Sequence, residues 1–262
     1  MPISPSQAPE PMLLRHDVSG ICTLTLNRPD QFNSLSLALV RAVRAALDAI
    51  ASDPTVRVVV LAGAGRAFCA GHDLKEMRAH PDLAFQQTLF RECGDMMVAL
   101  TRLPQPVIAR VHGVATAAGC QLVAQCDLAI ASENARFAVS GINLGLYCAT
   151  PSVALVRNIG RKAAFEMLAT GDFIDAQRAL DLGLVNRVVA AEALDESVAE
   201  LAGKLACKSS EALAAGKQLF YRQLEMGLAG AYQAAAETIA QNMMSPATQR
   251  GIDAFIDKRP RG

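Results

Sequence analysis

Two stretches of small residues carry the strongest chemical signal in the sequence. One reads Ala67-Phe68-Cys69-Ala70-Gly71-His72-Asp73-Leu74-Lys75-Glu76-Met77. The other reads Val111-His112-Gly113-Val114-Ala115-Thr116-Ala117-Ala118-Gly119-Cys120-Gln121-Leu122. Each follows an apolar, strand-like run and opens into a helical pattern. A helix N-terminus presents main-chain N–H groups with no intrahelical acceptor and a partial positive charge. Small residues let a ligand reach that backbone. Two such termini brought together would hold an oxyanion with main-chain donors. The same pattern also suits two ordinary strand-to-helix turns packed with small residues, and spacing alone leaves both readings open.

Other chemical signals are weaker. Gly63-Ala64-Gly65-Arg66-Ala67-Phe68 follows a strand but has Phe68 where a dinucleotide fingerprint needs its third glycine. Asp82 lies in a Pro81-Asp82 turn, not at a strand end. Neither a Walker A lysine motif nor a G-x-S-x-G elbow is present. The histidines, His16, His72, His80 and His112, lack metal-ligand spacing, so no metal is expected.

Composition narrows the class. The 25 basic and 25 acidic residues cancel, which leaves no electrostatic footprint for nucleic acid or an anionic membrane. Near-zero net charge also does little to hold subunits apart. No apolar run approaches the ~18–20 residues of a membrane span. The seven cysteines form no C-x-x-C pair and read as reduced thiols in a cytoplasmic protein. Residues 1–11 hold four prolines and no apolar stretch, and are expected to form a flexible N-terminal tail rather than a signal peptide.

The elements that must position the two segments follow from periodicity. Leu13–Val18 and 21–27 read as a hairpin around Gly20. Residues 36–51 read as a helix, with Leu39, Val43, Leu47 and Ile50 on one face. The 56–62 run, Val-Arg-Val-Val-Val-Leu-Ala, has the character of a strand covered on both sides. Further strands are expected at Val107–Val111, 127–131 and 136–139, with helices from about 72, over 84–103 and near 119–125. Beyond Thr150 the pattern is helical almost throughout, with segments near 151–159, 161–169, 175–182, 192–207, 210–225, 228–244 and 247–257. Alternating strands and helices followed by a helical tail indicate an α/β fold with a C-terminal helical layer.

The two segments resemble those of the crotonase superfamily, the enoyl-CoA hydratase/isomerase family. The resemblance covers nearly the whole chain. It extends to Asn27-Arg28-Pro29, Cys126-Asp127, Gly145 and Gly171-Asp172. It continues through Ala176, Ala179, Gly183-Leu184-Val185-Asn186 and Phe255 with Lys258-Arg259. It implies a crotonase-like spiral of β-β-α units over residues 12–200 and a C-terminal helical trimerisation region over 201–262. Assembly is then as a homotrimer or a dimer of trimers. The implied ligand is an acyl-CoA thioester, with coenzyme A as part of the substrate and no covalently bound cofactor. Its carbonyl would be held by the backbone N–H groups of His72 and Ala118. Ala70, His72, Asp73, Leu74 and Lys75 would line the thioester and pantetheine end. Arg28 would lie near the CoA phosphates, and Phe255 and Lys258 would join the CoA pocket.

Hydratases of that family work with two glutamates, and here the matching positions hold Gln121 and Gly141. Glutamine can hydrogen-bond a water but cannot exchange a proton near neutral pH, and glycine has no side chain. Each acid or base is typically worth about 10²–10⁴ in rate. Ordinary hydration is therefore not expected, while an oxyanion contribution of ~3–4 kcal/mol remains available. Tyr147 and Cys148, with Asn143, stand in the loop after Gly141 and are candidates to face the acyl group, with packing as the alternative. Cys120 reads as core, Asp127 as structural, and Glu92 and Asp95 as a solvated helix face. Three functions compete. The first is a hydratase- or isomerase-like enzyme on acyl-CoA. The second is decarboxylation of a malonyl- or methylmalonyl-CoA-like thioester, which makes an enolate without a base. The third is acyl-CoA binding without turnover.

Overall fold

The computed structural model describes residues 10–257. Most of the expected N-terminal tail, and Lys258 with Arg259, lie outside them. The chain begins with a hairpin of β1 (Leu13–Val18) and β2 (Ile21–Leu26). Next come α1 (Leu37–Ala51), β3 (Val58–Gly63) and β4 (Ala67–Cys69). Then follow α2 (Leu74–Ala79), α3 (Leu83–Arg102), β5 (Val107–Val111), β6 (Val114–Thr116) and α4 (Ala118–Gln125). The core continues with β7 (Leu128–Ser132), β8 (Arg136–Ala138), α5 (Ala149–Asn158), α6 (Arg161–Thr170) and β9 (Ile174–Asp175). It closes with α7 (Ala176–Leu182), β10 (Arg187–Val189) and α8 (Leu194–Ala206). Three more helices follow: α9 (Ser210–Gln223), α10 (Leu228–Met243) and α11 (Pro246–Ile256).

The strands divide into two sheets. Six form one sheet in the order β1-β2-β3-β5-β7-β10, and four form another in the order β4-β6-β8-β9. The pairs β3/β4, β5/β6 and β7/β8 each give one strand to each sheet, so the chain advances as a spiral. Within the large sheet β2, β3, β5, β7 and β10 run parallel. Parallel strands are normally covered on both faces, and the continuous apolar run of β3 reflects this. One face packs into the main core, and Val58, Val60, Ile108 and Ile130 on the other meet Leu194, Val198 and Ala202 of α8. The boundary expected at 200/201 thus falls inside α8, and the outer helical region begins at α9.

A polar knot helps to join that outer region to the core. Asp127, just before β7, accepts from Val107 N at 2.7 Å, Tyr221 Oη at 2.7 Å and Lys217 Nζ at 2.6 Å. Lys217 also donates to the carbonyls of Leu100 and Gln105 at 2.8 and 2.9 Å. Burial pushes the Lys217 ammonium down from its ordinary value, against the pull of Asp127. The sequence reading missed β9 and β10, which break its all-helical region with strands of two and three residues.

Candidate active site

The two small-residue segments converge. Leu35 N donates to Gly71 O at 2.7 Å, and Leu35 O accepts from Asp73 N at 3.1 Å. This parallel bridge makes the intervening His72 turn its own N–H away from Leu35. Opposite, Ala117 caps α4 with φ 51° and ψ −120°, and its N–H donates to Ala138 O at 2.9 Å. A residue with a Cβ in that region is strained by about 1–3 kcal/mol. The strain swings Ala118 into the first helical position, where its N–H has no intrahelical acceptor. Among the described residues neither the His72 nor the Ala118 N–H has a partner.

Glycines make this approach possible. A Cβ on Gly71, which has φ +92°, would stand 2.8 Å from the Ala117 Cβ and 3.3 Å from Ala118 N. At Gly119 it would stand 2.0 Å from the Cys69 carbonyl oxygen. Only main chain without side-chain volume fits between the two segments.

His72 and Ala118 both line a cavity of about 370 Å³. Ala70, Leu74, Met77, Phe90, Leu144, Leu146, Ala149 and Pro151 give it an apolar lining, and Ser140, Tyr147, Cys148 and Thr150 bring the few polar atoms. No Lys, Arg, Asp or Glu lines it among the described residues. Ser140 Oγ and Thr116 Oγ1 lie 3.0 Å apart in a hydrogen bond. The His72 ring meets Phe90 edge-on, with centroids 5.0 Å apart and planes at 78°. Burial pushes the His72 imidazole down to about 4, so it is neutral at pH 7. Burial also pushes the Cys148 thiol up.

The two positions that lack carboxylates differ in setting. Gln121 is buried on α4 at 4% exposure, one turn below Ala118, and its Oε1 has no partner among the described residues. Gly141 lines the cavity, but a Cβ there would meet Leu146 O at 2.5 Å and Cys148 Sγ at 2.8 Å. The loop closes on itself: Leu146 N donates to Gly141 O at 3.0 Å.

The remaining expected site residues scatter. Tyr147 is 45% exposed at the cavity rim. Asp73 caps α2, accepting from Lys75 N at 3.1 Å and Glu76 N at 3.2 Å. Burial pushes its carboxyl up, but Arg28 at 2.9 Å and the two amides outweigh this and hold it below its ordinary value. Arg28 also donates to Ser34 O at 2.6 Å, so its guanidinium ties two loops together and is only 17% exposed. Lys75 is exposed, as is Phe255 on α11, outside the cavity lining. Glu92 pairs with Arg41 at 2.7 Å on the α1/α3 surface, as a solvated face would. Periodicity missed Asn33, fully buried with φ 55°. Its Nδ2 donates to Ala64 O and Ala67 O, both at 2.8 Å, and its Oδ1 accepts from Arg28 N at 2.9 Å.

Comparison with known proteins identifies the family. The family described as enoyl-CoA hydratase/isomerase matches residues 16–261. A crystal structure of an enoyl-CoA hydratase from Mycobacterium smegmatis superposes with a TM-score of 0.95 at 57% identity, covering 97% of this chain and 99% of that one. The human enoyl-CoA hydratase domain-containing protein 3 gives 0.93 at 38% identity, covering 96% and 100%. Its Xenopus laevis counterpart is 42% identical over 95% of this chain and 85% of its own length. The frog protein and its rat, mouse, human and zebrafish counterparts are all named mitochondrial. These names overturn the cytoplasmic location expected from the reduced cysteines, because thiols stay reduced in more than one compartment. The matched length, the spiral of two sheets and the paired glycine-lined turns lead to one assignment: the chain belongs to the enoyl-CoA hydratase/isomerase family.

Proposed function

We propose that the protein is an acyl-CoA-acting enzyme that holds the thioester carbonyl on the His72 and Ala118 amides and does not rely on the two-carboxylate hydration chemistry of its relatives. The observation that carries this reading is the pair of partnerless N–H groups at the wall of an uncharged, apolar cavity. Two fixed dipoles in such surroundings stabilise negative charge as it grows on the carbonyl oxygen, as an oxyanion hole does. The low polarity of the lining strengthens the effect. Ala70 and Leu74 border the same cavity and suit the thioester end, whereas Asp73 and Arg28 act by fixing the turn that aims the His72 amide. Exposed apolar side chains on the outer helices, such as Tyr232, Ile239, Phe255 and Ile256, support assembly as a homotrimer or a dimer of trimers.

Decarboxylation of a carboxyacyl-CoA would reach the same enolate without a base. Its carboxylate would enter a lining without lysine or arginine, and an unpaired charge there is costly. The test combines calorimetry with acyl-CoA esters and turnover of crotonyl-CoA and longer enoyl-CoAs. Expected are saturable binding and hydration at least about 10⁴-fold slower than in a relative with both glutamates. Hydration at a relative's rate, or no binding of any acyl-CoA, overturns the reading. Carbon dioxide release from a carboxyacyl-CoA would replace it with decarboxylation.

A further inference from the structure

Strand β1 is one edge of the six-stranded sheet, and Leu14 to Val18 are all exposed. The opposite edge, β10, is half-buried throughout. Among the described residues only β2 hydrogen-bonds the β1 main chain. The hairpin turn fixes which groups this edge offers. Ser19 and Gly20 have φ 50° and 80°, as a two-residue turn matched to strand twist requires. Val18 and Ile21 then form a hydrogen-bonded pair, as do His16 with Thr23 and Leu14 with Thr25. The N–H and C=O groups of Leu13, Arg15 and Asp17 therefore point away from β2, out of the edge. Charged side chains blunt an open edge when they repel an incoming strand. Those of β1 differ in sign, in the order Leu14-Arg15-His16-Asp17-Val18. Run antiparallel to itself, that order is self-complementary.

We propose that β1 is an interface to a second copy of this chain, in which two β1 edges pair antiparallel about a two-fold axis at His16 and join two sheets into one. Only residues whose main-chain groups point outward can exchange bonds across the edge. With His16 on the axis, Arg15 of each copy stands opposite Asp17 of the other, and each such pair exchanges both its main-chain bonds. Leu14, 40% exposed, meets Val18, 52% exposed, on the other face. Moving the axis to Arg15 or to Asp17 sets like charges opposite each other, which is destabilising. Arg15 holds Asp17 and Asp53 of its own chain at 2.7 and 2.9 Å. These contacts keep its guanidinium beside the edge without burying it. The contact is isologous, so it closes after one partner and does not propagate. It is separate from the outer helices and from the cavity, whose lining includes no β1 residue.

Cysteine cross-linking of the full chain, with the exposed Cys207 replaced by serine, tests the register. Residues on the axis form a non-hydrogen-bonded pair with Cα atoms about 4.5 Å apart, within disulfide range. His16→Cys is expected to give a covalent dimer under oxidised glutathione that dithiothreitol reverses. Leu14→Cys alone should give none, because its two copies would stand about 13 Å apart. An equal mixture of Leu14→Cys and Val18→Cys proteins should cross-link. In sedimentation, Arg15→Asp should weaken association at least about fivefold. Adding Asp17→Arg should restore it, with acyl-CoA binding unchanged throughout. No cross-link from His16→Cys, an equally fast one from Leu14→Cys, or a loss that the charge exchange leaves unrestored overturns the inference. Each of these results leaves the acyl-CoA reading standing.

Discussion

Along residues 70–73 and 116–119, main chain meets main chain with almost no side-chain volume between the two segments. Across the cavity, residues 140–148 fold back on themselves. There a carbonyl and a thiol fill the space that a side chain on residue 141 would need. The first region leaves the His72 and Ala118 N–H groups without a partner among the described residues, beside a β-bridge, a strained cap and glycines that permit contact. The second has no carboxylate and no room for one. The contrast teaches that the part of the site which stabilises charge and the part which moves protons are separable. Electrostatic stabilisation depends on backbone geometry and persists while that geometry does. Proton transfer depends on one side chain and disappears with it.

The largest effect is expected where the amide-bearing segments touch. Gly119→Ala sets a methyl group 2.0 Å from the Cys69 carbonyl oxygen, so denaturant unfolding should show a loss of more than about 3 kcal/mol, and acyl-CoA binding should vanish. On the opposite side, Gln121→Glu combined with Gly141→Glu is expected to lose about 1–3 kcal/mol without gaining crotonyl-CoA hydration. A gain beyond tenfold would show that the loop yields easily and would blur the contrast. A pH effect separates the two walls further. The His72 ring has a lower proton affinity folded than unfolded, so the unfolded chain takes up the extra proton. The stability that His72 contributes is full above its ordinary value of 6.5 and falls away as the pH drops toward about 4. His72→Phe should flatten unfolding midpoints across that window. Smallest is Tyr147→Phe. Its hydroxyl has no partner among the described residues, so stability should change by less than about 0.5 kcal/mol and acyl-CoA affinity by less than about twofold.

Long elements were legible in the sequence because their patterns repeat. Helix α1 shows its buried face in Leu39, Val43, Leu47 and Ile50, and its cap in Ser36, whose hydroxyl accepts from Leu39 N at 3.2 Å. The three-residue strands β4 and β6 lie inside the small-residue segments, where apolar and polar positions do not alternate, so the pattern did not announce them. Gln121 and Gly141 could be read as missing carboxylates only through the resemblance, which puts the family's two glutamates at those positions. That Gly141 has no space, that Ala117 adopts a positive φ and that Asn33 ties its own loop to the β3–β4 turn all depend on partners elsewhere in the chain. Arg28 illustrates the same limit. The resemblance puts Arg28 near the CoA phosphates, and its pairing with Asp73, 45 residues away, could not be read from its own neighbours.

The knot at Lys217 has a consequence for how the outer helices are indexed against the core. An apolar seam tolerates sliding, since each methylene finds another neighbour at little cost. Lys217 instead directs its ammonium to three fixed oxygens, on Leu100, Gln105 and Asp127. Moving α9 by one turn would strand the ammonium, the carboxylate and both carbonyls together. Attachment is therefore all-or-none in register, like a key seated in its slot. The same carboxylate also anchors the first strand residue of β5, whose continuation leads through β6 into the Ala118 turn. Any partner that grips the outer helices thus holds, through a single aspartate, the strand on which one of the two cavity amides is mounted.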